Sequence, residues 1–282
     1  MPSFDTPEPI STTAHLTAGS LRFSAGDRAD TVVEVRPRDP KKDVDVRAAE
    51  GTEVTYAGGV LTVRTPKQRY LLGRTGTVDV TVELPTGSHV EMTGDWAQLL
   101  GEGRLGEVRV KKLASGDVRL DATGPLQLNV AHGSITVDRV EGLAEIATSS
   151  GSLRVGTVNG PAVLKNSHGS TVVGAAIGEL RVSGAHGDID IQRAEDSVAV
   201  TAAHGTLRVG EVARGTVQLE NSYGAIEVGI REGTAAWLDV SSERGQVRNT
   251  LDASESPAEA EDTVEVRARS RYGNIDVRRA RV

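Results

Sequence analysis

The sequence predicts an all-β protein built as a parallel β-helix, a β-solenoid with an irregular, strand-rich N-terminal cap. Three observations carry this. A short motif, small-x-Gly-x-apolar-x-apolar, recurs at Gly133, Gly151, Gly169, Gly187 and Gly205 in steps of 18, then at Gly224 after 19. A fixed period near 20 residues marks a solenoid. Each period also holds two alternating segments, such as Leu153-Arg-Val155 and Ala162-Val-Leu164, the pattern of half-buried strands. The composition is 38% hydrophobic but only 3% aromatic, which suits a thin interior of stacked Val, Leu, Ile and Ala.

Residues 1–92 read as the cap and first irregular coils. Thr31 to Val35, Gly59 to Val63 and Thr77 to Leu84 alternate with period two, and the stretches 37–43, 57–59 and 66–76 between them carry turn signals. Ala18-Gly-Ser-Leu-Arg-Phe23 already shows the repeat motif. A solenoid needs atypical ends to shield its terminal strands, hence the cap.

Residues 93–249 form the regular array, within the same structural domain. Two strands and a corner in 18 residues leave no room for a βαβ crossover. Stacked coils would place equivalent positions about 4.8 Å apart, so apolar pairs become continuous interior columns. The glycine marks a sharp corner that calls for positive φ. Residues 250–263 form an acidic insertion loop, polar and proline-containing. Residues 264–282 form a terminal coil that closes the array, with Arg278, Arg279 and Arg281 as gatekeepers against edge pairing at the open end.

The Gly-[Asp/Ser]-[Ile/Leu/Val]-x-[Val/Ile] repeat, with the lead-in Val80-Thr-Val-Glu-Leu-Pro-Thr-Gly-Ser-His-Val90, resembles the bacterial putative adhesin family, a β-strand-repeat domain of unknown function. The resemblance covers most of the chain. It implies a right-handed single-stranded β-helix and supplies no catalytic or binding residues to carry over.

A net charge of −7 argues against general affinity for nucleic acid or anionic membrane, both of which need a concentrated positive surface. With no cysteine there is no disulfide framework, thiolate nucleophile or sulfur metal site. The first ten residues lack the charged and apolar regions of a signal peptide, and no run is long enough to span a membrane. The expected location is therefore cytoplasmic.

The residue before each corner glycine forms a column: Ser115, His132, Ser150, His168, His186, His204, Tyr223, Arg244, Tyr272. His168, His186 and His204 on consecutive coils are the candidate metal ligands. Structural zinc wants four ligands and catalytic zinc three plus water, whereas Asp188 is the one carboxylate placed nearby. The expected reading is a neutral ring ladder, with no metal and no cofactor. Outward positions form a second column: Arg119, Thr136, Arg154, Val172, Asp190, Arg208, Glu227, Arg248. Its last four alternate in sign, as a ladder of surface ion pairs would.

β-Helices also host polysaccharide lyases and hydrolases. The best matching cluster is Asp190 and Glu227 with Arg208 between them, but that arginine would hold both carboxylates ionised and leave no acid. Gly101-Glu-Gly-Arg-Leu-Gly106 fits a dinucleotide pattern but precedes a strand, so the helix that would bind phosphate is missing. Trp96 and Trp237 read as core or rim packing. His15 and His89 carry no assignment.

The candidate interaction residues are Lys67, Arg69, Tyr70, Leu71, Leu72 and Arg74, because aromatic and arginine side chains are enriched in interface hot spots. The expected function is a rigid, non-catalytic scaffold or interaction module with a protein or glycan partner. The alternatives are a carbohydrate-active β-helix enzyme and a metal-binding histidine solenoid. Neither nucleic acid nor membrane insertion is expected, and the coils are suited to end-to-end or side-by-side self-association.

Overall fold

A computed structural model describes residues 1–66, 75–251 and 262–280. The chain divides into two compact units, Met1–Glu141 and Gly142–Val282.

Unit 1 opens with β1 (Ser3–Asp5), β2 (Ser11–Gly26) and β3 (Asp30–Pro37), then one helix, α1 (Asp43–Glu50). β4 (Glu53–Ala57), β5 (Val60–Arg64), β6 (Val78–Pro85) and β7 (His89–Arg104) follow. The unit ends with β8 (Val108–Ser115), β9 (Val118–Thr123), β10 (Leu126–His132) and β11 (Ile135–Glu141).

β2 is a whole coil in one strand. Thr12, Ala14 and Leu16 point inward, then the phase shifts and Leu21 and Phe23 do so. The shift falls at Gly19, where φ is +137° and a Cβ would lie 1.7 Å from the Val78 carbonyl oxygen. Only glycine accommodates both demands. The first half of β2 lies between β5 and β7, and the second between β6 and β7, all parallel. Outside them the chain reverses: β4 pairs antiparallel with β5, β3 with β6, and β1 with β3.

The helix was not expected from the alternating pattern. Its Asp43 and Asp45 stand in the first turn and Arg47 in the last, each on the favoured side of the helix dipole. Buried Asp45 accepts from the Thr77 amide at 2.8 Å, tying α1 to the start of β6. With Asp45 and Ala48 as its buried residues, the segment has little apolar periodicity to read.

Unit 2 contains β12 (Ala144–Ser150), β13 (Leu153–Asn159), β14 (Ala162–His168) and β15 (Thr171–Ala176). β16 (Leu180–His186), β17 (Ile189–Ala194), β18 (Val198–His204) and β19 (Leu207–Val212) continue the repeat. β20 (Gly215–Tyr223), β21 (Ile226–Ile230), β22 (Ala235–Arg244) and β23 (Val247–Asn249) precede the final pair, β24 (Thr263–Tyr272) and β25 (Ile275–Arg279). Even- and odd-numbered strands make two parallel stacks, in register apart from one irregularity between β19 and β21 after Val209. Leu164, Val182, Val200 and Leu219 align in one, and Val155, Val173, Ile191, Val209 and Val228 in the other. These side chains are almost fully buried, and each full burial of this kind contributes about 1.5–3 kcal/mol.

At the corner of Gly169, φ is +128° and a Cβ would meet the Gly151 carbonyl oxygen at 2.0 Å. Coil therefore sits on coil by backbone contact. Buried Asn166 braces this corner, its Nδ2 donating to the carbonyls of Gly151 and Gly169, both at 3.1 Å.

The last coil corrects the expected order. β24 pairs with β20 on one side and β22 on the other, and β25 lies likewise between β21 and β23. The chain's final coil is thus inserted beneath the one made before it, and 235–249 is the outer coil. Arg278 and Arg279 do not guard an open end. Arg278 reaches Glu227 at 3.5 Å, and Arg279 donates to the carbonyls of Arg231 and Thr234 at 3.0 and 2.8 Å. Arg281 lies outside the described residues.

Candidate binding face

Outward side chains of β14, β16, β18 and β20 form one face of unit 2. At its centre Ser183, Ala199 and Thr201 are short, so the sheet surface sinks into an open groove of about 470 Å³. Lys165, Glu179 and Arg181 rise on one side and Thr216 and Gln218 on the other. Glu179 is paired with Arg181 at 2.7 Å, so the one carboxylate lining the groove is already neutralised. The groove offers hydroxyl, amide and cationic groups around a largely apolar floor.

Where these strands reach the glycine corner, the predicted ladder is present. His168, His186, His204, Tyr223 and Tyr272 stack with ring centroids 5.1, 4.8, 4.9 and 4.8 Å apart. Arg244 follows, its guanidinium carbon 5.3 Å from the Tyr272 centroid. Spatial order therefore places Arg244 after Tyr272, a consequence of the inserted coil. The rings spend their faces on one another, and His168 Nδ1 lies 3.3 Å from the Ser149 carbonyl oxygen. Parallel rings also point their nitrogen lone pairs side by side, whereas a shared metal needs donors that converge on one point. Among the described residues, no group of three or more His, Asp or Glu side chains is gathered to hold a metal ion.

The charged column is also reordered. Asp190, Arg208 and Glu227 align on successive rungs, as expected, with the arginine between the carboxylates. Asp276 then follows Glu227, and Arg248 comes after it, so the alternation of sign breaks. A stronger cluster was missed because it joins three turns: Arg231 binds Glu195 at 2.9 Å and Glu211 at 2.7 Å. The Arg231 hydrogen bond holds the Glu195 carboxyl below its ordinary range, and the two carboxylates raise the guanidinium.

The interaction candidates Lys67, Arg69, Tyr70, Leu71, Leu72 and Arg74 lie outside the described residues. Trp96 and Trp237 are not core residues, being 55% and 58% exposed. Trp96 occupies the corner column of unit 1, in register with Ser115, which is in turn opposite His132. Its signal was hidden because Ala97 replaces the usual glycine. His15 Nδ1 is 3.0 Å from the Thr93 hydroxyl, and His89 Nδ1 accepts from the Glu107 amide at 2.9 Å. Gly101–Gly106 spans the end of β7 and a turn, with no helix following.

Coils in parallel register around glycine corners define a β-solenoid repeat protein. No helix among the described residues is long and apolar enough to cross a membrane. The chain belongs to the Toastrack DUF4097 family, whose model matches residues 16–279. No curated protein matches it in sequence. Solved structures that align with it include a putative adhesin from Bacteroides fragilis, 12% identical, covering 98% of this chain and 95% of that one, with TM-score 0.42. A putative adhesin from Parabacteroides merdae is 12% identical, covering 98% and 94%, with TM-score 0.38. A putative lipid binding protein from Parabacteroides distasonis is 10% identical, covering 99% and 96%, with TM-score 0.35.

Proposed function

We propose that this chain is a non-catalytic binding scaffold that engages a protein or glycan through the outer face of β14, β16, β18 and β20. The groove over Ser183, Ala199 and Thr201 carries this reading. It crosses the rungs of β14 to β20, is rimmed by hydrogen-bonding groups over a largely apolar floor, and rests on a sheet whose backbone is fixed by its neighbours. Such preorganisation lowers the ordering cost of binding. Catalysis is disfavoured by charge: Glu179 is bound to Arg181, and Asp190 and Glu227 flank Arg208 on the other stack. General acid catalysis needs a carboxyl that keeps its proton near neutral pH.

The test is a glycan array and a native-lysate capture with the wild type, Ser183→Trp and Val172→Trp. Ser183→Trp fills the groove, whereas Val172 faces outward on the other stack of unit 2. Loss of ligand with Ser183→Trp alone supports the face. Equal binding by all three proteins would place the ligand elsewhere.

A further inference from the structure

We propose that the outer coil of unit 2, β22 and β23, is a docking edge for a second copy of this chain, joined head to head about a two-fold axis. This stands independently of the binding face. Among the described residues β22 pairs only with β24, and β23 only with β25. Each strand therefore has one side of its backbone outside any ladder. The interior is open there too. Leu238 and Val240 are only half-buried and Val247 is 42% exposed, while their register partners Val266, Ala268 and Ile275 are fully buried.

Natural edge strands are blunted by proline, bulges, inward-pointing charges or extreme shortness. The ten-residue β22 has none of these, and the three-residue β23 has only the last. Their inward residues, Leu238, Val240, Val247 and Asn249, are uncharged, and the register with β24 and β25 is unbroken. An edge of this kind is a template for another strand.

Charge identifies the occupant. The edge carries Asp239 outward on β22 and Arg248 outward on β23. A two-fold rotation that lays β22 of one copy over β23 of the other makes the strands antiparallel. Keeping inward residues opposite inward residues allows few registers. One of them sets Leu238 opposite Asn249, Asp239 opposite Arg248, and Val240 opposite Val247. The symmetry makes each contact twice, so one favourable charge pair becomes two. Asp239 already accepts from Arg269 at 2.5 Å, which holds its carboxylate in place on the edge. A second copy satisfies this order by construction, and its arrival closes both interiors.

The experiment is sedimentation velocity on the full chain over a concentration series. The wild type is expected to dimerise. Asp239→Arg and Arg248→Asp each place like charges opposite one another, so each alone should dimerise roughly a hundredfold more weakly. Mixed together, the two variants restore both opposite-charge pairs and should form a heterodimer of near wild-type affinity. Thermal melts of each variant show that folding is intact. A wild type that stays monomeric up to its solubility limit overturns the proposal. So does wild-type dimerisation by both single variants, failure of the mixture to associate, or growth of open-ended filaments.

Discussion

Unit 1 and unit 2 are built from the same coil, yet they finish their stacks differently. In unit 1 the chain turns back on itself: β4, β3 and β1 run antiparallel to the strands they cover, and α1 packs beside them. In unit 2 the outer strands β22 and β23 run parallel to their neighbours and carry the same inward pattern as the coils within. A parallel coil cannot terminate itself, because the edge it presents repeats the edge it has covered. Reversing the chain and adding a helix breaks that template. The difference shows that termination here is a matter of strand direction rather than of composition.

The largest expected effect comes from removing what lies between the outer coil and the rest of unit 2. Deleting residues 263–282 takes away the partners of β22 and β23, so 235–249 should lose its hydrogen-exchange protection while β14 to β18 keep theirs. Full protection across 235–249 in the deleted chain would mean that β22 docks on β20 unaided. A finer comparison sets a buried leucine against its half-open counterpart. Leu164→Ala should cost about 2–5 kcal/mol by urea unfolding. Leu238→Ala should cost under about 1.5 kcal/mol in a single copy, because part of its surface already faces water. Equal losses would mean that the outer coil is covered.

The smallest expected effect is electrostatic. Glu195 has a folded-state pKa below its unfolded value of about 4.3, so its contribution is complete above that pH and disappears as the pH falls through the folded value. Glu195→Gln should remove about 1 kcal/mol or less near neutrality, and nothing at low pH where the wild-type carboxyl is protonated. A variant whose deficit persists in acid would have lost packing instead. The test also distinguishes a cluster joining three turns from the ion pairs along single strands, such as Arg139 with Glu141.

Much of this was legible from residue spacing. The 18-residue glycine step required a corner at positive φ, and the apolar pairs required interior columns. The position before each glycine required rings within reach of one another, and His168, His186 and His204 do stack. Other features were not legible, for physical reasons. Val217, Leu238 and Val266 hold equivalent inward positions, as do Leu219, Val240 and Ala268. Apolar matching therefore cannot order the three coils. α1 left too little periodicity, and Trp96 lacked the glycine that marks its column. The groove depends on short side chains at Ser183, Ala199 and Thr201 meeting across separate rungs, which no local window displays.

The insertion of β24 and β25 also bears on synthesis. In chain order the inserted rung, β24 and β25, comes after both of the rungs that it separates. Until residues 263–279 have been made, Tyr223 lacks its Tyr272 neighbour and the Trp237 strand lacks its seat on β24. Loss of β24 and β25 would therefore unfasten a stretch of chain that precedes them, so the order of assembly runs against the order of synthesis.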